Sequence, residues 1–263
     1  MKRILPFLAA ALVLSACGTT PKNPGEENPG ASAEEMYREA KQELESGNYN
    51  RSVKQFEALQ ARYPYGRYAQ QAELEVAYAN YKDQEPELAL AAIDRFLKAH
   101  PTHPNADYAL YLKGLVNFIE DRSLFASLAK QDMSERDPKA ARESFEAFRD
   151  LVTRYPQSRY APDARDRMAY LVTALADGEL HVARYYYKRG AYLAAANRAK
   201  AVIERYSNTD RVETALVVMI AAYDKLGQPE LRDDARRVLA QNYPQSKLTP
   251  DEIFADGAWW KLW

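Results

Sequence analysis

Thiol and imidazole groups are scarce in this chain: one cysteine, Cys17, and three histidines, His100, His103 and His181, among 263 residues. A lone cysteine excludes an internal disulfide and a thiolate metal cluster. His100 and His103 have ligand-like spacing, but Pro101 and Pro104 hold them in a turn, and no cysteine or carboxylate pair completes a site. Charge of one sign is lacking as well. The formal net charge is −1, without the basic surplus of a general nucleic-acid binder, so no nucleic-acid partner is expected. No phosphate-cradling glycine loop and no nucleophile elbow is present. Asp132, Glu135 and Asp137 lie close in sequence but read as loop and helix-cap residues rather than general acids or bases. No enzyme, metal or cofactor is therefore expected. Long hydrophobic runs are missing too, since no stretch reaches the ~20 apolar residues of a spanning helix. Sustained period-two alternation is absent, so strands are not expected.

What is present begins at the N-terminus. Lys2 and Arg3 precede a short apolar run from Ile4 to Leu14, then Leu14-Ser15-Ala16-Cys17. That order is expected of a secretory signal peptide over residues 1–16. Leu-Ser-Ala-Cys resembles the lipobox of bacterial lipoproteins, which implies a diacylglycerol on the Cys17 thiol and acylation of its new amine. The covalent lipid is then the only non-protein group expected. Several acyl chains, at about 0.8 kcal/mol per buried CH₂, anchor stably where a single one is marginal. Gly18 in place of the aspartate that retains relatives at the inner membrane implies an outer-membrane location, with the domain facing the periplasm. The membrane is touched through the anchor alone. Residues 17–32, with Pro21, Pro24, Pro29 and interspersed glycines, form a flexible linker.

Residues 33–244 repeat themselves. Arg62-Tyr63-Pro64 recurs as Arg154-Tyr155-Pro156 and Asn242-Tyr243-Pro244, and more loosely at Arg205-Tyr206-Ser207 and Ala99-His100-Pro101. An amphipathic helix precedes each: Val53, Phe56, Leu59 and Tyr63 are spaced by three or four, as are Phe145, Phe148, Leu151 and Tyr155. Gly47, Gly190 and Gly227 stand at one common offset before Pro64, Ser207 and Pro244, where each ends the preceding helix. Helix, glycine turn, helix, proline is the tetratricopeptide (TPR) plan of about 34 residues. The expectation is an all-α solenoid of about five degenerate repeats and about ten helices. One helix is expected to run from about Ala161 to Lys188 and another to begin at Pro138 behind Asp137. Residues 245–263 form a tail with aromatic residues, ending Trp259-Trp260-Lys261-Leu262-Trp263. It is either a partner contact or a strip packed on the last helix.

Repeats of this kind line a concave face with their first helices. The TPR pattern places Tyr37, Lys41, Leu44, Gln71, Leu74, Tyr78 and Tyr81 toward that face in the N-terminal units. They form a groove for aromatic-containing peptides, or they pack between helices.

Arg62-Tyr63-Pro64-Tyr65-Gly66-Arg67-Tyr68-Ala69-Gln70-Gln71-Ala72 and Ala91-Ala92-Ile93-Asp94-Arg95-Phe96, then Pro101-Thr102-His103-Pro104, Ser134-Glu135-Arg136-Asp137-Pro138 and Asn197-Arg198, resemble the BamD family. These are TPR lipoproteins of the outer-membrane β-barrel assembly machinery. The resemblance covers essentially the whole mature domain, and the tail ending Trp259-Trp260-Lys261-Leu262-Trp263 is not matched to it. It implies a non-catalytic scaffold whose partners are a BamA-type barrel subunit, accessory lipoproteins of the complex and unfolded outer-membrane proteins. It implies further that the N-terminal groove recognises a C-terminal signal ending in an aromatic residue. Arg198 is carried over as a contact for the barrel subunit, with a solvated surface arginine as the other reading. A periplasmic TPR lipoprotein that organises cell-wall synthases or binds peptidoglycan is the alternative function.

Overall fold

The computed structural model describes residues 30–118 and 138–254. Residues 1–29, the segment 119–137 and the tail from 255 lie outside it, and with them the signal peptide, Cys17, Asp132, Glu135, Asp137 and the three tryptophans. The described residues form eleven helices and no strand. We number them α1 (Ala33–Glu45), α2 (Tyr49–Arg62), α3 (Arg67–Lys82), α4 (Pro86–Ala99), α5 (Ala106–Asn117), α6 (Pro138–Arg154), α7 (Ala161–Lys188), α8 (Tyr192–Arg205), α9 (Arg211–Lys225), α10 (Pro229–Asn242) and α11 (Pro250–Phe254). The first ten are the helices of five successive helix pairs; the eleventh is a short addition after them.

Two compact units share the chain, with the boundary inside α3 after Glu75. In the first, Ser32 starts α1 with a capping box: its hydroxyl accepts the Glu35 N–H, and its own N–H donates to the Glu35 carboxylate at 2.8 Å. α1 buries Met36, Ala40 and Leu44 toward α2, which answers with Ser52, Phe56 and Leu59. The Ser52 hydroxyl donates to the Ala40 carbonyl at 3.0 Å, so this small buried residue also brings the two helices close.

In the second unit, helices consecutive in sequence pack consecutively in space from α4 to α10, and α9 also touches α7. Leu110 of α5, Phe148 and Leu151 of α6, and Ala164 and Leu171 of α7 make one core cluster. Ala176, Leu180 and Ala183 of α7 join Ala199, Val202, Ala215, Val217 and Val218 in another. The 28 residues of α7 thus serve two cores, one at each end of the helix. Its length follows from that double role, and Gly178 does not interrupt it.

The repeat punctuation has a uniform geometry. Each of α2, α4, α8 and α10 ends at an aromatic residue with φ between −126° and −131°, its N–H donating to the carbonyl four residues back. In three of these four a proline follows, which denies the preceding residue the helical region. At the turn inside the repeat, Gly47, Gly190 and Gly227 are left-handed, and the residue after each donates back across the helix end. Gln84 holds the same place in the second repeat, with φ +64° and the Glu85 N–H on the Asn80 carbonyl at 2.9 Å. A left-handed residue with a Cβ costs roughly 1–2 kcal/mol, part of which glycine's looser unfolded chain takes back. Gln84→Gly is therefore expected to stabilise the protein by about 0.5–1 kcal/mol, read as a higher midpoint in thermal unfolding followed by circular dichroism.

Candidate functional site

The first turns of α1 carry an aromatic face. Tyr37 packs its ring against Phe56 at 5.5 Å and Tyr68 at 5.6 Å between centroids. Its hydroxyl donates to Glu75 at 2.9 Å, and Lys41, one turn along α1, places its ammonium 2.7 Å from the same oxygen. One carboxylate of α3 thus fixes two expected groove residues of α1. Leu44 and Leu74, each 4 % exposed, lie in the packed interior, while Tyr37, Lys41 and Gln71 are half-buried. Gln71, Leu74, Tyr78 and Tyr81 follow one another at three and four residues along α3 and so share a stripe of that helix. The Tyr78 and Tyr81 rings are half-buried, 6.3 Å apart.

Glu75 was not among the residues singled out from the sequence. Its role arises from contacts 34 and 38 residues away, and no local spacing reveals them. Burial first, and then the neighbouring Glu75 carboxylate, raise the Tyr37 phenol well above its ordinary range. Tyr111, whose hydroxyl donates to Asp163 at 2.7 Å, is pushed up to about 12 by burial and by that carboxylate. Both phenols are held neutral in the folded chain while their unfolded pKa is about 10. A raised folded pKa contributes stability that is complete below the unfolded value and disappears as pH climbs through the folded one. Stability is therefore expected to fall between pH of about 10 and about 12. Phenolate absorbance should show a late-ionising class of tyrosines, and Tyr111→Phe should remove part of it.

Arg198 stands at mid-length on α8 and donates from Nη1 to Glu179 of α7 at 3.0 Å. The arginine side chain is 46 % exposed but the carboxylate only 8 %. The guanidinium thus supplies the countercharge to a buried acid and still shows an open side to solvent. That hydrogen bond, the first cause, raises the arginine's pKa further. Nearby, Asp177 of α7 receives Arg211 of α9 through two hydrogen bonds, at 2.5 and 3.2 Å. With side chains 14 % and 22 % exposed, this pair is more enclosed than the Arg198 pair.

The histidine turn is a packing feature. The rings of His100 and His103 both lie 5.2 Å from Phe96, and His103 Nδ1 accepts the Asn105 N–H at 3.0 Å. Among the described residues, no group of three His, Cys, Asp or Glu side chains is placed to hold a metal ion. No described helix is long and apolar enough to cross a membrane.

The whole chain has relatives. A family model described as "YfiO: Outer membrane lipoprotein" matches residues 29–241. The outer membrane protein assembly factor BamD of Neisseria meningitidis serogroup A is 51% identical over 100% of both chains. Its counterpart in Neisseria gonorrhoeae is likewise 51% identical over 100% of both. That of Vibrio cholerae is 34% identical, over 90% of this chain and 97% of its own. With its repeats, its capped helix pairs and its full-length likeness to these proteins, the chain belongs to the YfiO family of outer-membrane lipoproteins, the family of BamD.

Proposed function

We infer that this protein is a non-catalytic scaffold subunit in outer-membrane protein assembly. The observation that carries the reading is full-length identity of about half its residues with relatives named as outer membrane protein assembly factors. The partners proposed are a BamA-type barrel subunit, accessory lipoproteins of the complex and unfolded outer-membrane proteins. For the last, the face of α1 around Tyr37 has suitable chemistry. Its aromatic rings can take the terminal aromatic side chain of a peptide, and the Lys41 ammonium can take the terminal carboxylate in competition with Glu75. Gln71 edges this face and the Leu44 and Leu74 side chains back it.

For the barrel subunit we propose Arg198, whose open side leaves donors for a partner carboxylate. Arg198 also neutralises Glu179, so replacing it alone leaves an uncompensated buried charge. The informative variant is Arg198→Gln together with Glu179→Gln, which removes both charges. Attachment of lipid to Cys17 and residence on the periplasmic side of the outer membrane belong to the same proposal. Cys17→Ser is expected to move the protein from the membrane pellet to the soluble fraction, because no described helix is long and apolar enough to replace the acyl chains.

The test is a mild-detergent pull-down of the tagged, lipidated protein, with mass spectrometry of what co-purifies. Recovery of a large barrel with periplasmic domains in near-equal amount, lost in the Arg198/Glu179 variant, is the expected result. Recovery of cell-wall synthases, or retention on purified sacculi, without that barrel would overturn it.

A further inference from the structure

The chain does not end its fold with the fifth helix pair. After α10 it returns across the unit and forms α11, five residues held by a second capping box. The Thr249 N–H and hydroxyl both donate to the Glu252 carboxylate at 2.9 Å, and the Glu252 N–H returns to the Thr249 hydroxyl. Among the described residues, two adjacent side chains attach it. Ile253 is 4 % exposed within the core cluster of Leu180 from α7 and Val217 and Val218 from α9. Phe254 lies flat on Tyr187 of α7, with centroids 3.7 Å apart and planes at 9°. Burial raises the phenol of that tyrosine.

α7 and α9 are the first helices of their repeats, and first helices supply the face on which TPR-like arrays receive peptides. α11 packs on both of these first helices, in a seat that also takes in Ala199 and Val202 of α8, and it presents there a short capped segment with an adjacent β-branched and aromatic pair. Its connection to α10, residues 243–249, has no helix of its own, and Leu248 within it is 38 % exposed. An element fixed by two side chains on a non-helical connection exchanges more readily than one integral to the core.

We propose that the α7–α9 face is a peptide-binding site, occupied in cis by Ile253 and Phe254. Its partner in trans is an extended or single-turn segment with an aliphatic residue followed by an aromatic one, preceded by acidic residues as in Pro250-Asp251-Glu252. The tethered segment competes at an effective concentration on the order of millimolar, so the site accepts outside peptide only when α11 has left. The proposal does not depend on Arg198 or on the α1 face.

The experiment uses the full chain in detergent micelles and a fluorescent synthetic peptide spanning Leu248–Phe254. A released variant, Ile253→Asp with Phe254→Ser, is compared with the unsubstituted protein. Faster hydrogen exchange across residues 250–254 verifies release. Saturable binding to the released variant, at least roughly tenfold tighter than to the unsubstituted protein as expected when the tethered competitor is gone, is the expected outcome. Binding should be lost again when Tyr187→Ala is added to the released variant. No binding to a released variant that retains its helical circular dichroism, or equal binding to both proteins, overturns the proposal. Should the released variant fail to fold, a protease site placed within residues 243–248 and cut after folding replaces it. Failure of the cut protein to take up the peptide is then equally decisive.

Discussion

Asp177→Ala is expected to lower the unfolding free energy by about 3 kcal/mol. Asp177 holds the guanidinium of Arg211 through two hydrogen bonds in a site where the arginine is only 14 % exposed. Removing the carboxylate leaves a cation with little access to water. Asp210, at 2.7 Å from Nη1, compensates in part but is itself 74 % exposed. Double replacement by apolar residues of similar size is expected to recover most of the loss, because a buried pair often contributes little relative to well-packed hydrophobic groups. Chemical denaturation of the single and double variants measures this. Because the pair joins α7 to α9, the two helices that also receive α11, the single variant should loosen the C-terminal pair first. Hydrogen exchange in α9 and α10 should rise ahead of exchange in α5 and α6.

Gly114→Ala is expected to destabilise by about 2 kcal/mol, against the sign that helix propensity assigns. In an exposed helix interior, glycine to alanine stabilises by roughly 0.5–1 kcal/mol. Here a Cβ on residue 114 would lie 2.3 Å from Cε1 of Phe148, far inside van der Waals contact. Phe148 is fully buried and is flanked by Tyr111 and Phe118 at 6.0 and 6.1 Å between centroids. The ring has no free direction in which to retreat, so α5 and α6 must separate. Separation also strains the hydrogen bond from the Ser144 hydroxyl to the Gly114 carbonyl at 2.9 Å. The same substitution combined with Phe148→Leu, which shortens the obstructing side chain, should be milder than Gly114→Ala alone. Thermal unfolding by circular dichroism reads both.

Much of this architecture was legible in the sequence. Phe56, Leu59, Phe148 and Leu151 announce their helix faces by spacing, and all four are fully buried. Gly47, Gly190 and Gly227 mark turns that are left-handed in the structure. Gln84 occupies the same register without the residue type that signals it, so composition alone passed it over. The residues expected to line a groove were legible only as a stripe of one helix. That Leu44 and Leu74 lie inside while Tyr37 and Lys41 stay partly open depends on how α1 meets its neighbours.

The sequence by itself determined what local physics controls. Helix periodicity, prolines that bar the helical region before them, and glycines that accept a positive φ act within a few residues, so they can be read along the chain. The run from Arg62 to Ala72 carried the family for a different reason, since a string of that length rarely recurs by chance. Tertiary structure alone decided which charges meet. Glu75 with Lys41, Glu179 with Arg198 and Asp177 with Arg211 lie 34, 19 and 34 residues apart. Only the packing of separate helices selects those partners among 36 basic and 37 acidic residues. The return of Ile253 and Phe254 to α7 and α9 is of the same kind. A five-residue helix carries too short a pattern to declare its seat, and the cores of two earlier helices supply it.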